Sequence, residues 1–127
     1  MSTSLFERLG GNAGISAISN DLVDNHLTNA AIKTRFAGSD IPALKKTAAT
    51  FMIAGTGGEN AYKGKDMLSA HKGMNISALE FMAVLDDALL ALTKNKVGQR
   101  EQEEVLFILH SMRADIVLVW RDPLISN

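Results

Sequence analysis

Cysteine is absent from the 127-residue chain, which excludes disulfides, thiolate nucleophiles, zinc ribbons and thioether attachment of a cofactor. That absence is compatible with a reducing compartment. Proline is scarce, two residues against ten glycines, so long helices with marked breaks are open to the chain. An excess of either charge is lacking as well. With 13 basic and 14 acidic side chains the formal net charge is −1, and no electropositive nucleic-acid surface is expected. No apolar run approaches the roughly 20 residues of a membrane span. Met1–Gly11, with Glu7 and Arg8, lacks a signal peptide's apolar stretch. A cytoplasmic protein without membrane partners is the expectation. The 46% apolar and 21% charged composition is that of a globular protein, expected as one domain over residues 1–127.

Helical periodicity runs through the chain and sustained strand alternation does not, so the expectation is all-α. Ser4-Leu5-Phe6-Glu7 has the form of a capping box, and Gly10-Gly11 stops the short helix it opens. Asn12 is the predicted cap of a second helix, along which Ile15, Ile18, Leu22 and His26 recur. A helical turn is expected around Ile32–Phe36, ended by Gly38. Asp40 and Pro42 suit the first turn of a helix with Leu44, Ala48, Phe51 and Met52 on its apolar stripe. Thr56–Lys65 follows neither period and reads as an irregular loop with three glycines. Asp66–His71 is a short segment closed by Gly73. Ser77–Glu80 repeats the capping-box pattern before a helix carrying Phe81, Leu85, Ala88, Leu89 and Leu92. A last helix is predicted over Gln99–Val119.

Few residues carry recognisable chemistry. Gly64-Lys65 departs from a phosphate-binding loop at both ends, being preceded by Glu59 five positions back and followed by Asp66. Asp86-Asp87 and Glu101, Glu103 and Glu104 read as solvated helix faces, because adjacent helical residues do not face one another. No nucleophile elbow occurs. His26, His71 and His110 form no metal-ligand spacing, and taken singly each reads as an ordinary histidine. Among them His71 stands out, since it closes a short segment directly after the irregular loop. A neutral imidazole in an apolar helical pocket is how a proximal ligand holds haem iron.

One run of residues sharpens the choice. Leu5-Phe6-Glu7-Arg8-Leu9-Gly10-Gly11, Phe36-Ala37-Gly38, Gly57-Gly58, Tyr62-Lys63-Gly64 and Met67-Leu68-Ser69-Ala70-His71 together resemble the truncated haemoglobins of group I. The resemblance runs from about Leu5 to Val117, and its specific part is Tyr-x-Gly-x-x-Met-x-x-x-His. It implies a globin-like two-on-two helical sandwich with one non-covalent haem b, the iron held by His71. Phe36, Leu44, Thr47, Phe51, Met52, Tyr62, Met67, Ile76, Phe81, Val84, Leu106 and Leu109 would line the cofactor.

The chain departs from that family where bound O₂ would sit. Members of the group carry a tyrosine in the second helix, often with Gln or His from the distal helix. The matching positions here are Val23 and Ala48, with Leu44 beside them. A donor to bound O₂ contributes roughly 1–3 kcal/mol, so its absence favours ligands such as CO and NO. Lys45 and Lys46 are flexible enough that either could approach the iron, while an open or water-ligated site is the favoured expectation. The resemblance thus implies reversible binding of a diatomic gas, of the oxygen-binding, oxygen-transport or NO-related kind. A haem-based sensor or electron-transfer module without turnover is the alternative. NO- or peroxide-related redox chemistry would require a reductase partner. A globin that has lost its haem and serves as an interaction protein is disfavoured by the retained His71.

Overall fold

The computed structural model describes residues 3–65, Ala70 and 74–117. Its helices are α1 (Leu5–Arg8), α2 (Gly11–Thr28), α3 (Ile41–Gly55), α4 (Ala78–Lys94), α5 (Gln99–Ser111) and α6 (Arg113–Ile116), with a 3₁₀ turn at Lys33–Phe36. Three helix starts follow the local sequence. The Ser4 hydroxyl accepts from Glu7 N at 3.2 Å, and the Ser77 hydroxyl from Glu80 N at 3.0 Å. Both capping boxes are complete, since each glutamate also accepts from its cap's backbone N–H. Asp40 accepts from Ala43 N at 3.2 Å, with Pro42 in the first turn of α3.

Two boundaries differ from expectation. Asn12 does not cap α2; Gly10 does, at φ 97°. That left-handed geometry suits glycine alone, and a Cβ there would also press on the Gly14 Cα at 3.1 Å. The predicted Gln99–Val119 helix is instead two, broken at Met112. Just before the break the Ser111 hydroxyl donates to the Ile108 carbonyl at 2.6 Å, a local bond that competes with helix continuation. Val117 then pairs with Ile76 in an isolated parallel bridge, which draws the chain away from the helix axis. Residues 118 and 119 lie outside the described part.

Helix α2 packs on both α3 and α4, and its two halves meet different surroundings. At one end Ile15 and Ile18 join Leu5, Leu9, Met52, Ala91, Leu92 and Val105 in the buried core. Truncating a fully buried leucine such as Leu92 costs about 2–5 kcal/mol, so this cluster holds that end together. Arg8 reaches from α1 to α5, donating to Glu101 at 2.8 Å and to Glu104 at 2.6 and 2.9 Å. Those two glutamates are therefore paired rather than simply solvated. At the other end of α2 the same helices enclose a cavity.

Candidate functional site

The cavity measures about 390 Å³, inside the usual range for ligand pockets of roughly 300–1,000 Å³. From α2 it is lined by Leu22, Val23 and His26, and from α3 by Leu44, Thr47, Ala48 and Phe51. Phe81, Val84 and Leu85 of α4 also line it, with Leu109, Met112 and Ile116 from the end of the chain's described part. The division follows helical spacing: Phe81, Val84 and Leu85 recur at i, i+3, i+4, and Leu44, Ala48 and Phe51 at i, i+4, i+7. Ile32, Phe36, Tyr62, Ala70, Met74 and Ile76 add to the lining, with Arg35 and Glu80 at its edge.

The cavity thus brings together Val23, Phe36, Leu44, Thr47, Ala48, Phe51, Tyr62, Ile76, Phe81, Val84 and Leu109 of the sequence-predicted set. Met67 and His71 lie outside the described residues. Met52 stands elsewhere. One position along α3 from Phe51, it is turned about 100° around the helix and joins the core beside Leu5 and Ile18. Leu106 is half-buried on α5 and is not part of the cavity lining. Tyr62 meets Phe51 edge-on, centroids 5.2 Å apart. Its hydroxyl donates to the Lys65 carbonyl at 2.6 Å, so it fastens the loop and leaves only the ring to the cavity. Lys45 forms an ion pair with Asp24 at 2.8 Å, and Lys46 is exposed.

Two polar groups on the wall escape sequence reasoning. Arg35 and Glu80 form a two-pronged ion pair at the cavity edge, and Arg35 also donates to the Met74 carbonyl at 3.2 Å. The hydrogen bonds from Arg35, and after them those within the capping box, lower the Glu80 pKa from 4.5 to about 2 against the opposing effect of burial. A depressed carboxylate contributes stability that is fully present above its unfolded value and lost as pH falls through the folded one. Wild-type melting temperature should therefore drop between about pH 4.5 and 2. Glu80→Gln, which keeps the capping box, should be less stable at neutral pH and flatter through that window. A pH series of thermal melts checks this; parallel curves would contradict it.

The second group is His26. It is 8% exposed and its Nδ1 lies 2.7 Å from Asp87 Oδ2. Asp87, 3% exposed, accepts further from Asn29 Nδ2 at 3.1 Å through its carboxylate and from Asn25 Nδ2 at 3.0 Å through its backbone carbonyl. The expectation of a solvated Asp86-Asp87 pair thus holds for Asp86 and fails for Asp87. A signal was present: Asp87 falls four residues from both Ala83 and Ala91, which are buried small residues on the same helix face. The His26 ring stacks on Phe36, centroids 5.6 Å apart and planes 7° from parallel.

A largely helical shell around an apolar cavity is compatible with a globin, and the comparisons decide it. A family model described as bacterial-like globin matches residues 4–118. The group 1 truncated haemoglobin of Tetrahymena thermophila is 33% identical over 99 residues, 78% of this chain and 80% of that protein. The ferric crystal structure of truncated haemoglobin from Tetrahymena pyriformis superposes with a TM-score of 0.87 at 28% identity, covering 91% of this chain and 99% of that one. A two-on-two haemoglobin from a Synechococcus species, with covalently attached haem, gives 0.84 at 25% identity over 91% and 98% of the two chains. The chain belongs to the bacterial-like globins and, within them, resembles the group 1 truncated haemoglobins throughout the matched region. Its fold is their two-on-two helical sandwich.

Proposed function

We propose that the cavity holds one non-covalent haem b whose iron is ligated by His71 and reversibly binds a diatomic gas. The observation that carries this reading is the lining itself. A flat apolar macrocycle needs apolar walls, and Leu44, Ala48 and Phe51 of α3 line the cavity together with Phe81, Val84 and Leu85 of α4. His71 enters through the Tyr-x-Gly-x-x-Met-x-x-x-His run, and Ala70, its neighbour in the chain, lines the same cavity. When bound, the iron supplies an open coordination position, and the protein's part is to orient the macrocycle and keep bulk water away.

The remaining walls bear on which gas is held. Val23 is 2% exposed, and with Leu44 and Ala48 it offers no hydrogen-bond donor. Lys45 is engaged by Asp24, which supports an open or water-ligated distal site over a lysine-ligated one. Bound CO and NO gain little from a donor, whereas bound O₂ carries partial negative charge and gains roughly 1–3 kcal/mol. The reading is therefore a cytoplasmic gas-binding protein that holds CO and NO well and releases O₂ quickly. Purified protein titrated with haemin should take up one equivalent and, reduced with dithionite, give a sharp CO-bound spectrum. Failure to take up haemin would overturn the proposal.

A further inference from the structure

Two basic side chains border the apolar cavity, Arg35 and His26; Arg35 is spent on Glu80, and gas binding has no use for His26. His26 Nδ1 is committed to Asp87, and Nε2 has no hydrogen-bond partner among the described residues. The concavity His26 borders is the gas cavity. An ionised Asp87 accepts a hydrogen bond from Nδ1–H, which fixes the tautomer and leaves the lone pair on Nε2. Asn29 and Asn25 hold Asp87 in place, and the stacked Phe36 ring restrains the imidazole.

We propose that His26 is the proton acceptor of the cavity for a weakly acidic ligand H–X of two to four atoms, such as hydrogen cyanide, hydrogen sulfide or hydrogen peroxide, and that Asp87 is its positioning residue. The proposal rests on the haem reading above. Such ligands arrive neutral and protonated, but bind a ferric centre as the anion. In the step assigned to His26, the H–X bond breaks, its electron pair stays on X, and the proton moves to Nε2. The products are X⁻ and an imidazolium whose Nδ1–H still donates to Asp87, so no oxidant or reductant is required. An apolar wall would otherwise leave the proton without an acceptor, and proton transfer by a positioned group contributes roughly 10²–10⁴-fold to a rate.

The other ionisable groups nearby are already paired. Arg35 of the 3₁₀ turn is held by Glu80 of α4, and Asp24 of α2 by Lys45 of α3. Tyr62 has given its hydroxyl to the Lys65 carbonyl. Among the described cavity residues, His26 is the one that sets an imidazole against a buried carboxylate behind it.

The test uses the holo-protein and two probes, cyanide added to the ferric form and CO added to the ferrous form, followed by stopped flow at pH 7.5. His26→Gln keeps a donor for Asp87 and removes the basic nitrogen. It should slow cyanide association by about tenfold or more, and by several times more than it slows CO association. Asp87→Asn should fall between wild type and His26→Gln for cyanide and match wild type for CO. Equal slowing of both probes would assign His26 a purely structural role and overturn the proposal, as would unchanged cyanide kinetics. Nitrogen-15 NMR of the wild-type ferrous CO form gives a check that needs no variant: the His26 proton should reside on Nδ1. A proton on Nε2 with Nδ1 bare would overturn the assignment. If wild type binds no CO, the haem reading fails, and this one with it.

Discussion

His71→Ala should strip the protein of its haem. Under the proposed reading His71 is the one protein ligand of the iron, so its loss leaves only the apolar walls. Haem occupancy after desalting should fall about tenfold or more, since each 1.4 kcal/mol is a factor of ten. Exogenous imidazole, supplied at high concentration, should restore the spectrum by entering the space the side chain vacates. His110→Ala and His26→Gln serve as the contrast. His110 is exposed on α5, and His26 turns Nδ1 toward Asp87. Both variants should retain the wild-type haem spectrum. If either loses it while His71→Ala does not, the ligand has been misassigned.

The second large effect is expected at Val23. This residue is fully enclosed, one turn of α2 before His26, and shares the cavity with Leu44 and Ala48. A tyrosine there would project a hydroxyl into space that offers O₂ no donor in the wild type. Val23→Tyr should slow O₂ dissociation by about tenfold or more, the equivalent of 1.4 kcal/mol. CO dissociation should change far less. Leu44→Gln approaches the same space from α3 with a smaller change of shape, and it should slow O₂ release in the same direction. Stopped-flow displacement of O₂ by CO measures all three proteins. A slow wild-type rate, unchanged in both variants, would mean that another group already donates to O₂.

How much of this was legible in the sequence depends on how local the cause is. The caps at Ser4, Asp40 and Ser77 are set by side chains three residues from the groups they bond, and they stand where the sequence puts them. The stripe residues Leu44, Ala48, Phe51, Phe81 and Leu85 likewise follow from period alone. Gly10 as a cap was not readable, because its left-handed backbone answers to the packing of α1 on α2. The break at Met112 involves a contact between Val117 and Ile76, far apart in sequence. Met52 and Phe51 are equally apolar neighbours, and only the rotation of α3 against α1 and α2 sends one to the core and the other to the cavity. Asp87 was misread although its spacing from Ala83 and Ala91 marked the buried face; what the sequence did not show was its partner. Its partner lies 61 positions away, and a carboxylate's burial is decided by the partner it finds.

The division of α2 and α4 into a core half and a cavity half has a consequence for how the chain matures. Ile15 and Ile18 meet Ala91 and Leu92 directly, so that end can close as soon as the helices form. Val23, Phe81 and Val84 border the cavity instead, although Val23 and Phe81 are already buried. Under the haem reading, filling that cavity adds stability that grows with the logarithm of free haem over its dissociation constant. One end of the molecule is thus held by its own side chains, while the other would gain from cofactor supply. Chains made faster than haem arrives would wait with the cavity unfilled, the core end already holding α2, α3 and α4 together.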